Sequence, residues 1–375
     1  MSVGGDTSNE LDKAAHVTMN NSTITLNADL AKNKYSQEIG CVIAGYGAQI
    51  KVNDSTLSSN VHIASICSGD GNCVIEINDC TITHNPVDQT YEAYEFHDEG
   101  SILFSHHVST KEDLAAAFAV GGMITLEADI ELDASLTVPS GKTVVLDMNG
   151  HNISYTSDVA ATSQAILNNG TLTICGEGAI NYHSTGSDTS SMPRYATNAI
   201  TNKGSLTIGV GVTVQNTSSG GASYAVDNDG YFHLDGGKII AKRTALRVCN
   251  FNASSAEVIV DSGLIEGNEG LRIQLPGSNA NVAPKVEVTV NGGTLRSTQG
   301  TNGFAFLTYS FGNSYSDTTV TINGGEFYGW VTVGTGNSDP VNVAVNGGEF
   351  EYSGVYDYAN GYYITTEGIV YPEGE

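Results

Sequence analysis

The sequence predicts an all-β protein: a right-handed parallel β-helix with a short capping helix near 109–120 and a smaller stack of the same kind before it. Three observations predict it. A strand–turn–strand phrase recurs along most of the chain. Its apolar residues alternate with period two, which gives strands with one buried face. No strand has a hairpin partner beside it in sequence, so each must pair with its equivalent one repeat away.

The phrase is clearest as VEVTVNGGTL at 286–295, VTINGGEF at 320–327 and VAVNGGEF at 343–350. Less regular copies are VIVDSGLI, FHLDGGKII, LTIGVGVTV and LTICGEGAI. Aligning Gly178, Gly211, Gly237, Gly263, Gly293, Gly325 and Gly348 gives spacings of 33, 26, 26, 30, 32 and 23. Unequal spacing around a preserved phrase is what loops of different length between repeats produce. A second phrase, AILNNG, AITNKG and AVDNDG, places small and apolar residues before Asn at a turn, where Asn tolerates left-handed backbone. Strand phase then sends Val288, Val290, Val320, Ile322, Val343 and Val345 inward, and Thr289, Thr321 and Ala344 outward.

The capping helix is read from STKEDLAAAFAV at 109–120. Ser109 with Glu112 three residues later is a capping-box pattern, and the Ala-rich run has high helix propensity. Alternating apolar residues follow at Ile124, Leu126, Ile130, Leu132, Leu136 and Val138. The main stack is therefore expected over 109–350, closed by a C-terminal cap at 351–375. Residues 17–85 carry VTMNNSTI, IKVNDSTL and IEINDCTI, which align Ser22, Ser55 and Cys80 and form the smaller stack. Residues 86–108 read as a connector, and 1–16, polar and Gly-rich, as a flexible attachment segment.

Acidic residues outnumber basic ones 41 to 15, for a net charge of -26. That charge repels phosphate backbones and anionic lipid, so neither nucleic acid nor membrane is an expected partner. The first twenty residues contain no apolar signal-peptide core, and no window is long enough to span a bilayer. Taking Met1 as the start, the chain is expected to be made in the cytoplasm without an export signal. The six Cys lack paired CxxC spacing and His partners, so they read as small apolar fillers rather than zinc ligands. No cofactor or metal is expected.

SLTVPSGKTVVLDMNGHNI followed by repeated VTINGGEF-type phrases resembles the pectate-lyase-like β-helix proteins. The repeats are most similar to those of bacteriophage fibre and spike proteins and of gut-bacterial surface proteins. The ending GGEFEYSGVYDYANGYYITTEGIVYP is similar to their terminal cap. The resemblance covers 109–375 well and 17–85 loosely. It implies a non-enzymatic structural and attachment protein of a virus particle: a head fibre, decoration protein or tail spike. Such a protein would be a homotrimer, with other virion proteins as partners and host-surface polysaccharide as ligand. A bacterial cell-surface adhesin is one alternative, and a β-helix polysaccharide lyase or hydrolase the other, because this fold hosts all of them.

An enzyme of this class needs paired carboxylates at hydrolase spacing, or an acidic calcium site with an Arg base. His151 in Gly-His-Asn and Arg272 in Arg-Ile-Gln resemble fragments of the polygalacturonase motifs. They stand some four repeats apart, and the Asn-Thr-Asp and Asp-Asp motifs between them are missing. Asp227, Asp229 and Asp235, followed by Arg243 and Arg247, form an acidic set, with Asp227 and Asp229 in a turn phrase. Glu266, Glu269 and Arg272 either line a groove or form a salt-bridged face. Glu326 and Glu349 recur at one place in adjacent repeats as an outer carboxylate ladder, and His106-His107 reads as connector surface. No catalytic residue is assigned. Aromatic clusters near the C-terminal end supply the binding candidates Tyr309, Phe311, Tyr315, Tyr328 and Trp330, since Tyr and Trp serve sugar faces and interfaces alike.

Overall fold

The computed structural model describes residues 2–3, 16–26, 40–44, 48–66, 73–85, 94–96, 100–158, 162–185, 196–249, 255–275, 285–310, 317–335, 341–357 and 360–370. These residues are nearly all β, with long parallel sheets and one α-helix, Lys111–Val120. The chain divides into two compact units, Met1–His107 and Val108–Glu375.

The second unit is built on three parallel ladders, each advancing by one strand per sequence repeat. The first ladder runs through Gly122–Leu126, Thr143–Asp147, Thr171–Cys175 and Ser205–Gly209. It continues through the opening halves of Tyr231–Ala241 and Ser255–Gly267. Lys285–Val290, Asp317–Ile322 and Asn342–Val345 complete it. The second ladder runs from Ile130–Leu132 through Asn152–Ser157, Gly178–Ser184 and Val212–Asn216. Beyond the closing halves of the same two long strands it reaches Thr294–Ser297, Glu326–Tyr328 and Glu349–Phe350. The third ladder, Leu136–Val138 to Val355–Asp357, holds the strands that follow the second phrase. Pairing is parallel throughout until Tyr362–Thr365 and Gly368–Val370 add two antiparallel strands to the third ladder.

The alternation in the sequence is the alternation in burial. Val288, Val290, Val320 and Ile322 are at most 1% exposed, whereas Thr289 and Thr321 between them are half-buried. Val343 departs from its equivalents: it is half-buried, because Asn342–Val345 is the last strand of its ladder among the described residues and no further strand of that ladder covers it. The inward residues join a single core that runs from Val108 to Val355. Helix Lys111–Val120 buries Leu114, Ala117 and Phe118 in that core. Its N-cap is Thr110, whose Oγ1 accepts from the Asp113 N–H, so the expected Ser109–Glu112 box is replaced by a pair one residue later.

Turns follow the same chemistry. Asn168, Asn202 and Asn228 are fully buried at the ends of third-ladder strands, and each side-chain amide passes a hydrogen bond to the next at 2.7 Å. Asn202 also accepts from the Gly204 N–H and donates to Tyr231 O. Gly204 is required here: a Cβ would stand 2.0 Å from Gly170 O. The glycine alignment holds from Gly237 onward but slips before it. Gly178 lies opposite Val212, and Gly209 pairs with both Asp235 and Gly236 in an irregular register. The extra residue is absorbed as a local bulge.

In the first unit the aligned Ser22, Ser55 and Cys80 stand in register beside Thr23, Thr56 and Thr81. Each follows a left-handed Asn or Asp: Asn21, Asp54 and Asp79. Asn and Asp occupy that region because their short polar side chains bond locally. Of the residues read as a connector, those described, 94–96 and 100–108, are strands. Tyr94–Phe96 pairs with His62–Ile66, and Gly100–Val108 pairs in register with Cys73–Asn78. Ile102 and Phe104 pack on the core of this unit; the segment lacks the Asn turn phrase, and pairing rather than periodicity holds it. The attachment segment proposed for 1–16 lies almost wholly outside the described residues. Of it, Ser2–Val3 pairs with Gly40–Ala44, and His16 begins a strand.

Candidate functional site

The third ladder carries a buried polar cluster on neighbouring strands. Asp227, in Ser223–Asn228, lies directly opposite Arg247 in Thr244–Cys249, and Arg247 lies opposite Arg272 in Glu269–Leu275. Arg247 Nε and Nη2 donate to the two Asp227 carboxylate oxygens at 2.7 and 2.5 Å. The guanidinium sits 4.1 Å above the Tyr224 ring, where ring quadrupole and charge attract. Asn198 donates from Nδ2 to Asp227 Oδ2 and Thr201 Oγ1. Asn198 is 1% exposed, and its Oδ1 has no hydrogen-bond partner. One strand on, Arg272 Nη2 donates to Glu269 Oε1, and Thr244 Oγ1 donates to Glu269 Oε2 at 2.7 Å. The cluster is thus two arginines and two carboxylates, paired with each other.

A second strip lies on the second ladder, where Ile240, Glu266, Arg296 and Tyr328 occupy successive positions of one row. Arg296 Nη1 donates to Glu266 Oε2 at 3.2 Å, and its guanidinium lies 4.9 Å from the Tyr328 ring centre. Tyr328 is 42% exposed and donates to Glu326 Oε2. The negative charge of Glu326 raises the Tyr328 phenol above its ordinary pKa, since phenolate would face carboxylate. Beside this strip an open groove of about 470 Å³ is lined by Gly292, Gly293, Thr294, Gly325, Glu326, Gly348 and Glu349. Successive NGG turns form its floor.

The structure separates residues that the sequence grouped. Glu266 belongs to the second ladder, Glu269 and Arg272 to the third, so the three do not line one groove. Asp227 is strand, not turn, and its charge is neutralised by Arg247. Asp235 and Arg243 are exposed, away from that pair. His151 is half-buried with Nδ1 3.6 Å from Asp129 Oδ1, four strand pairings from the long strand before Arg272. His107 bonds Asp79 through both its backbone N–H and its ring. Trp330 stacks on Tyr352 with ring centres 4.1 Å apart. Tyr309 lies opposite Gln274 in the third ladder, whereas Phe311 and Tyr315 lie outside the described residues. Glu326 and Glu349 are opposite each other, as the repeat implied.

Sequence reasoning missed Asn198, Tyr224 and Arg296. The signal for Tyr224 and Asn198 was present: they lie opposite each other, three residues before the opposed pair Asp227 and Thr201, in equivalent copies of the second phrase. Burial also marks Cys41 and Cys73 as interior fillers, and desolvation raises the Cys41 thiol pKa. No family model matches the chain, and neither the curated proteins nor the solved structures contain a match.

Proposed function

We propose that the chain is a right-handed parallel β-helix serving as a non-enzymatic structural and attachment protein of a virus particle. In this reading it projects from the particle as a homotrimer, is anchored to other virion proteins and binds host-surface glycans. The observation that carries the reading is the fate of its best carboxylates. Asp227, Glu266 and Glu269 are each held by an arginine from the same or a neighbouring strand. An acid or base of a glycosidase must reach and exchange a proton with substrate, whereas these carboxylates already engage their oxygens in guanidinium hydrogen bonds within the ladders. Two of these pairs, Asp227–Arg247 and Glu266–Arg296, tie adjacent repeats together, which is a structural use of charge.

Repetition supports the same reading. A ladder in which each repeat rests on the next is stiff and easily lengthened, and three identical parallel copies multiply a weak glycan contact by avidity. The test is twofold. Light scattering should give a mass near three times 39.2 kDa. Capsular polysaccharides incubated with the protein should yield no new reducing ends and no unsaturated products. Saturable cleavage lost on replacing Asp227, Asp229 or Glu266 overturns the reading in favour of a depolymerase.

A further inference from the structure

We infer that the C-terminal end of the second unit is a docking surface for a basic, strand-forming segment of a partner protein. The inference stands on the ladders and their charge, and it holds whether or not the chain belongs to a virus particle.

The ladders end unevenly. Asn342–Val345 and Glu349–Phe350 each pair on one side only, with Asp317–Ile322 and Glu326–Tyr328. Among the described residues no strand hydrogen-bonds in register to their other edges, although Tyr362–Thr365 packs beside Asn342–Val345 and lays Ile364 on the core. The third ladder goes further, through two antiparallel strands, so it forms a wall beside the open edges. Free strand edges present unpaired N–H and C=O groups that template another strand.

The core is unfinished at the same place. One repeat earlier Val320, Ile322 and Phe327 are at most 1% exposed. Their neighbours Val343 and Phe350 are only half-buried, and on the wall Ile369 and Val370 are 56% and 48% exposed. A strand added here would cover apolar surface as well as backbone, in the way each internal repeat covers the one before it.

Charge selects the occupant. After Arg296 the sequence has no Lys, Arg or His and nine Asp and Glu. Glu326 and Glu349 lie directly opposite in the ladder, and both line the groove, which reaches Gly348 and Glu349 of the last repeat. Like charges directly opposite destabilise a parallel or antiparallel pair, and no described cation bridges these two. A second copy would bring the same acidic surface and be repelled. A segment alternating Lys or Arg with Val or Ile would place cations by Glu326 and Glu349 and apolar side chains over Val343 and Phe350.

The probe is a fluorescein-labelled peptide of about nine alternating Lys and Val residues, long enough for one strand, titrated with the full chain. It should bind at least about tenfold more tightly than the Glu–Val peptide or a proline-interrupted Lys–Val peptide. Reversal at the groove, Glu326→Lys with Glu349→Lys, should weaken it at least about tenfold, and the exposed control pair Glu127→Lys with Glu131→Lys by less than about twofold. Glu349→Gln, a smaller change, serves if the reversal variant melts below wild type. Hydrogen exchange should slow at 342–350 on binding. Equal affinity for all three peptides, equal loss in the control, or protection elsewhere overturns the inference. So does self-association of the chain that the peptide competes away.

Discussion

Arg247 clamps Asp227 across two adjacent strands, with Nε 2.7 Å from Oδ1, while the side chains are only 12% and 10% exposed. Twenty residues of sequence separate them, yet the ladder sets them directly opposite.

Removing one partner of this pair leaves a buried charge unmatched, which typically costs about 3–5 kcal/mol. Arg247→Ala also exposes the face of Tyr224. Thermal or denaturant unfolding should show Arg247→Ala clearly less stable than the double replacement Arg247→Met with Asp227→Leu. If the single variant matches wild type, the clamp does not hold these strands.

Ile322 is fully buried and Thr321 half-buried. Ile322→Asp puts an unpaired charge in the core at a cost of several kcal/mol, on the order of the whole stability of a domain, whereas Thr321→Asp should stay within about 1 kcal/mol. The readout is soluble yield and melting temperature. Equal behaviour of the two contradicts the strand phase.

Asn202 receives one amide hydrogen bond and passes on another inside the turn stack, so Asn202→Ala strands groups on both neighbouring repeats. Each buried group left unsatisfied costs about 1–3 kcal/mol. The exposed equivalent on the first ladder, Asn323, makes the same kind of bonds with Asn291 and Asn346, but water replaces them there. Asn323→Ala should therefore destabilise much less, as measured by urea midpoint.

Asp261 accepts from Asn291 Nδ2 at 2.7 Å and lies 2.8 Å from His233 Nε2. The Asn291 hydrogen bond first, and then His233, hold its carboxyl below the ordinary aspartate pKa. A folded pKa below the unfolded value means stability present above the ordinary aspartate range, near pH ~4, and lost as pH falls through the folded value. Asn291→Ala should move the Asp261 titration upward in a carboxyl-carbon NMR experiment and narrow the acid-stable range. An unmoved titration rules out the hydrogen bond as the main cause.

The strand phase was legible because burial in a ladder has period two and side chains in a phrase such as VTINGGEF alternate with it. The helix and its Ala-rich run were legible for the same local reason, although the cap moved from Ser109 to Thr110, since either hydroxyl satisfies the sequence pattern. Tyr94–Phe96 and Gly100–Val108 were not legible as strands: their residues carry no turn phrase, and only the neighbouring strands supply their hydrogen bonds.

What the sequence determined by itself was the repeat, the inward residues of each phrase and the unbroken acidity after Arg296, because these depend on residue order and composition alone. Which repeat stands beside which, and by what offset, was decided by tertiary structure. Loops of unequal length between the phrases hide that offset. Register therefore chose that Asp227 meets Arg247, that Glu266 meets Arg296 instead of Arg272, and that Asn198 is sealed beside both Asp227 and Thr201. Long-range hydrogen bonding across a ladder fixes such pairs, and a carboxylate in a linear sequence carries no mark of the cation it will face.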